Sequence, residues 1–229
     1  MLVVCMCGRL PFVDGWPRLL IRYLRMANGR VTEQQNYPMA QSNSNPQLVL
    51  RPQDLMVLLR LALVRDQERP PSYATLATEL GLTASEVHSG VERAVIAQLA
   101  TKDQAGRPRV RLEPLRLFVL HGARYSFPAT RGPLTRSVPT SHGTAPLNTM
   151  IRASATDPLP VWPDKDGQVR GETLYPLYPT APQAARANPA LHELLALFDA
   201  IRAGSPRERA LAVQEFDKRW SGEPAVTLS

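Results

Sequence analysis

Cysteine is almost missing from this 229-residue sequence: Cys5 and Cys7 are the only two. They are too few and too close for a disulfide framework and supply half a zinc site at most. Such cysteine usage leads us to expect a reducing, cytoplasmic setting. Histidine is scarce as well. His88, His121, His142 and His192 all lie outside helical metal-ligand spacing from one another and from the cysteines. No apolar run approaches the ~18 residues of a membrane span. The opening MLVVCMCGRL lacks the basic and long apolar regions of a signal peptide. There is neither a G-x-S-x-G elbow nor a glycine-rich phosphate loop. DKDG at Asp164–Gly167 lacks the third acidic ligand and closing glutamate of a calcium loop and reads as a turn between short strands. No catalytic residue, metal or cofactor is therefore expected.

Acidic residues are outnumbered, 20 against 27 Lys and Arg, for a net charge of +7 and a pI near 9.9. That balance favours an anionic partner, nucleic acid first and an anionic membrane face second. With 44% hydrophobic residues the chain can bury one core or two small ones. Residues 1–47 differ in character from the rest of the chain: a short apolar patch, a basic helical candidate from Trp16 to Met26, then the polar run QQNYPMAQSNSNPQ. The segment reads as an arm or linker, or as the product of an upstream start codon with Met39 as the true start.

From Pro52 the pattern becomes helical. Pro52 suits the first turn, Asp54 lies within it, and Leu55, Leu58, Leu59 and Ala62 form an apolar stripe. Arg51 is a chemically poor N-cap for this helix. Ser72 caps a second helix through Leu80, and Gly81 ends it in the left-handed conformation. Thr83 with Glu86 makes a capping box for a third helix running to about Leu99. Leu76, Leu80, Leu82 and Val87 are apolar where two crossed helices bury side chains, and Ala77 is small at their contact. Ser85, Glu86, His88, Ser89, Glu92 and Arg93 are expected to point outward. Gly90 stands at a core-facing position, where glycine costs up to ~1 kcal/mol of helix propensity relative to alanine. TKDQAGRPRVRL then reads as a β-hairpin turning at Gln104–Gly106.

Helix, helix, helix, basic hairpin is the order in which TLATELGLTASEVHSGVERAV and KDQAGRPRVR resemble the winged helix-turn-helix transcriptional regulators of the MarR type, over about residues 50–112. The resemblance implies that the third helix enters the major groove with its N-terminal half on the base edges. By position, Thr83, Ala84, Ser85, His88 and Ser89 would face bases. Arg93 is counted with the DNA-binding residues, and Lys102, Arg107, Arg109 and Arg111 would serve as wing contacts to phosphate or the minor groove. The wider stretch is basic too, with Arg116, Arg124, Arg131 and Arg136 further along and only Asp103 and Glu113 opposing them.

Beyond residue 112 the sequence is less regular. EPLRLFVLHG reads as a helix or a strand, with helix preferred; residues 122–190 are rich in proline and glycine, and Ala123–Phe127 and Leu159–Trp162 read as short strands. Asn188-Pro189 caps a helix carrying Leu191, Leu194, Leu195, Phe198 and Ile201, which Gly204 stops. Ser205-Pro206 with Glu208 opens a last helix carrying Leu211, Val213, Phe216 and Trp220. The two stripes are expected to form a dimer interface or core.

The expected fold is α+β, mainly α: an arm at 1–47, a winged helix-turn-helix domain at 48–112, and a mixed, proline-rich C-terminal domain at 113–229 ending in two helices. The expected function is a cytoplasmic, homodimeric, sequence-specific transcriptional regulator on double-stranded DNA. The rival is an adaptor or antitoxin-like protein whose C-terminal half binds a protein partner.

Overall fold

The computed structural model describes residues 49–152 and 158–221. The expected arm, its Trp16–Met26 helix and both cysteines lie outside the described residues. Helix α1, Pro52–Ala62, begins as its sequence dictates, with proline in the first turn and Asp54 Oδ2 accepting from the Arg51 amide at 2.8 Å. Arg51 thus serves as N-cap because Asp54 performs the capping from within the helix. The expected stripe understates the burial of α1. Leu55, Met56, Val57, Leu58 and Leu59 are each at most 1% exposed. A helix apolar on all sides belongs at the centre of a core, and each such side chain contributes roughly 1.5–3 kcal/mol on burial.

Helix α2, Tyr73–Leu80, is capped by Ser72, whose Oγ accepts from the Thr75 amide at 3.1 Å. Gly81 ends it at φ +64°. Helix α3, Ala84–Ile96, comes next with the expected capping box between Thr83 and Glu86, and it stops short of Leu99. Strands β1, Ala100–Lys102, and β2, Pro108–Val110, pair antiparallel with Thr101 opposite Arg109.

Helix α4, Leu112–Leu117, continues through a π-helical turn at Phe118–Gly122 into α5, Ala123–Ser126. The strand expected at Ala123–Phe127 is therefore helical. Ala123 is fully buried, while Tyr125 and Ser126 are exposed, which is the asymmetry of a helical turn on a core rather than strand alternation. Arg116 is fastened to the last helix, donating to both carboxylate oxygens of Asp217 at 2.7 and 2.8 Å.

Strands β3 (Arg131–Pro139), β4 (Pro160–Pro163) and β5 (Val169–Leu174) each pair with the other two and close a miniature barrel. The Asp164–Gly167 turn does join two strands, but β4 and β5 meet in parallel, at Pro160–Glu172 and Val161–Thr173, rather than as a hairpin. Helix α6 (Ala181–Ala187) leads to the long helices α7 (Pro189–Ala203) and α8 (Pro206–Ser221). The mixed, mainly helical architecture ending in two long helices agrees with the sequence reading.

The stripe of α7 is spent internally; on α8 Phe216 and Trp220 are buried while Leu211 and Val213 are half-buried. Leu191, Leu194, Leu195, Phe198, Ile201 and Phe216 are at most 2% exposed. Asp199, on the same buried side of α7, accepts from Trp162 Nε1 at 2.6 Å, Thr140 Oγ1 at 2.7 Å and Arg202 Nε at 2.8 Å. That network ties barrel to helix.

The described residues belong to one compact unit. The division expected at residue 112 is no break in packing: α1 packs on α7, Trp220 Nε1 donates to the Leu112 carbonyl at 3.2 Å, and Thr180 Oγ1 donates to the Leu80 carbonyl at 2.7 Å.

Candidate nucleic-acid interface

The corner between α2 and α3 is fixed from both sides. Gly81 supplies the left-handed residue, and a side chain there would meet Thr180 Cβ at 3.1 Å. Val87, Val91 and Ala94 bury one side of α3, which sets the opposite side toward solvent. Thr83, Ala84, Ser85 and His88 are exposed there, and Ser89 is half-buried. Thr83 Oγ1 is engaged in the cap, accepting from the Glu86 amide at 3.2 Å and donating to Glu86 Oε2 at 2.8 Å. The Thr83 amide and hydroxyl hold the Glu86 carboxyl below the ordinary glutamate range.

Arg93 departs from expectation. Rather than pointing outward, its side chain is 10% exposed and bonds Asp54 of α1, Nε to Oδ2 at 2.7 Å and Nη2 to Oδ1 at 2.6 Å. The reason lies one turn earlier. A Cβ at Gly90 would stand 2.7 Å from Asp54 Oδ1, so the missing side chain makes room for the carboxylate. The same bond pushes the Arg93 pKa upward.

Strands β1 and β2 form a tight hairpin. Asp103 Oδ1 accepts from the Ala105 and Arg107 amides, both at 2.9 Å, and Gly106 takes φ +73°. These backbone donors, the Arg107 amide foremost, lower the Asp103 pKa. Arg107 also gives its Nε to Asp103 Oδ2 at 2.8 Å, while its side chain stays 41% exposed. Arg109 reaches back to the loop after α1, donating to the Gln67 and Glu68 carbonyls at 2.9 and 2.7 Å. Arg111 is exposed, with one long bond to Gln98 Oε1 at 3.5 Å.

Between α3 and the hairpin stands a contact that sequence reasoning missed. Lys102 Nζ bonds Glu92 Oε1, and His88 Nε2 lies 3.4 Å from that oxygen. The bond from Lys102 draws the Glu92 pKa down and raises that of Lys102. Tyr73 of α2 closes the row, its ring edge-on to His88 at 5.3 Å. The i,i+4 spacing of His88 and Glu92 is visible in sequence, but the arrival of Lys102 depends on the hairpin's path. The geometry thus unites the N-terminal half of α3 with Lys102, and it sets Arg93 aside as an internal tie.

No protein-family model matches the chain, and no curated protein or solved structure matches it significantly.

Proposed function

We propose that this protein binds duplex DNA through a winged helix-turn-helix and acts as a sequence-specific transcriptional regulator of the MarR type. The observation that carries the reading is the exposed N-terminal half of α3. Thr83, Ala84, Ser85 and His88 are exposed beside a short hairpin flanked by Lys102, Arg107 and Arg111. A helix so placed suits the major groove, with Ser85 and His88 offering hydrogen bonds to base edges. The wing cations then supply phosphate contacts that fix register without reading sequence. Arg109 contributes by holding the wing to the loop after α1. A homodimer in the cytoplasm fits this role, because two heads on paired half-sites multiply modest affinities. Its interface would lie outside the buried stripe of α7.

A second reading, an adaptor for a protein partner, has support of its own. Lys102 and Arg107 are already neutralised by Glu92 and Asp103, so the face carries mixed charge. Selection from a random duplex library at low ionic strength separates the two. The regulator enriches a defined sequence, and Ser85→Ala with His88→Ala alters the preferred bases. An adaptor enriches nothing and co-purifies with a protein; that result would end the DNA reading.

A further inference from the structure

Strands β3 and β5 run antiparallel with Arg136 directly opposite Arg170. Residues so paired have Cβ atoms about 5 Å apart on one face of the sheet. Both side chains are exposed, and among the described residues neither is joined to a carboxylate. Several cations elsewhere are paired instead: Arg93 with Asp54, Lys102 with Glu92, Arg107 with Asp103, Arg116 with Asp217. The acids of the preceding turn, Asp164 and Asp166, are held by Arg186. Like charges directly opposite destabilise an antiparallel ladder. The pair therefore costs folding stability, and an anion bridging the two guanidinium groups removes that cost.

Along β3, Leu134 pairs with Glu172; the register then shifts, and beyond that irregularity Arg131 pairs with the buried Leu174 and bonds Glu172. Arg131 borders a hollow of about 370 Å³ shared with Arg124, Tyr125 and Arg202. There the Arg124 guanidinium lies 5.3 Å from the centre of the Tyr125 ring, which is 76% exposed. At about 3.3 Å per residue, the two arginines of β3, Arg131 and Arg136, stand roughly 15 Å apart.

We propose that this face binds the phosphodiester backbone of nucleic acid, with Arg136 and Arg170 sharing one phosphate and the track continuing past Arg131 to Arg124 and Tyr125. Guanidinium groups donate charge-assisted bonds to phosphate oxygens in a fixed planar fork. Cations that end at an exposed aromatic ring suit a polymer alternating phosphate and base, since an unpaired base can stack on the ring. The face prefers single strands, and it stands independently of the winged-helix reading.

The test measures binding of the full chain to a labelled 20-nucleotide single strand and to its duplex, across a salt series. Arg136→Ala with Arg170→Ala is expected to weaken single-strand binding several-fold and flatten the log–log salt dependence by about 0.7, one phosphate's share. Arg170→Glu is expected to weaken it further while raising the melting temperature, because it replaces a repulsive pair with an attractive one. That opposite movement of binding and stability separates a lost site from a misfolded protein. Excess inorganic phosphate should compete only weakly; full competition at equal charge concentration would assign the pair to a free anion and overturn the polymer. Wild-type affinity and slope in both variants, or no single-strand binding by the native chain, also overturns the proposal. Single-strand loss in these variants with duplex selectivity intact keeps both readings. Duplex binding that responds only to Ser85 and His88 keeps the winged helix and discards this face.

Discussion

Asp54 of α1 and Arg93 of α3, 39 residues apart in sequence, are joined by two hydrogen bonds of 2.6 and 2.7 Å. The carboxylate is fully buried and the guanidinium nearly so. Removing one member of such a pair strands the other's charge in the core. Arg93→Ala is expected to lower unfolding free energy by about 3–5 kcal/mol, read by urea denaturation. Asp54→Ala with Arg93→Ala should cost less than Arg93→Ala alone. A loss under about 1 kcal/mol in the single variant, the range of exposed pairs, would show that the pair is not buried in solution.

Gly90 gives a second test with the sign opposite to helix propensity. Alanine is the better helix former by up to ~1 kcal/mol, yet a Cβ at this position would press on Asp54 Oδ1 at 2.7 Å. Gly90→Ala should destabilise by about 1–3 kcal/mol, as overpacking does. A gain in melting temperature would mean that the carboxylate moves aside freely.

Glu92 holds Lys102 against α3. If the face binds duplex DNA, Glu92→Gln should tighten binding several-fold at low salt by freeing the lysine and removing a repelling charge. Fluorescence anisotropy measures this directly. Unchanged or weaker binding would place Lys102 outside the interface.

Asp199 is the hub between barrel and helices. Asn in its place keeps the shape but turns an amide donor toward one of the existing donors, Thr140, Trp162 or Arg202. Asp199→Asn should cost at least about 1–3 kcal/mol for the unsatisfied groups. The expected trace is a lower thermal midpoint with altered tryptophan fluorescence, because Trp162 loses its charged acceptor. An unchanged midpoint would contradict the network.

Glu215 on α8 links stability to pH. Burial pushes its carboxyl upward, but bonds from Lys218 and Arg219 outweigh that, and the net pKa is lowered. A carboxylate whose folded pKa is depressed stabilises the fold above the ordinary glutamate range, and that contribution is lost as pH falls through and below it. Thermal midpoints should decline across this acid range, and Glu215→Gln should make the decline shallower. Equal slopes in the two proteins would show that Glu215 contributes nothing there.

Much of this chain was legible because its signals are local. Pro52, Ser72, the Thr83–Glu86 box, Gly81 and Asn188-Pro189 mark helix ends through hydrogen bonds between near neighbours in sequence, and the structure places each boundary near its signal. Apolar spacing likewise identified the buried side of α7, and on α8 the buried Phe216 and Trp220. Pairings over long separations were not legible. Nothing beside Arg93 in sequence announces Asp54, so it read as an outward cation, and Gly90 read as a defect rather than as the space that pair requires. Ala123–Phe127 misled because a short segment carries too few residues to separate strand alternation from a helical turn.

The order of residues by itself determined where helices start and stop, that a basic hairpin comes after a glycine corner, and that the chain carries excess positive charge, because capping, periodicity and composition act through near neighbours. Only the tertiary structure decided which cations remain for a partner and which are consumed at home. That division depends on carboxylates arriving from distant segments, as Asp54 does for Arg93 and Glu92 for Lys102, and on β-sheet register that sets Arg136 beside Arg170 with no acid between them.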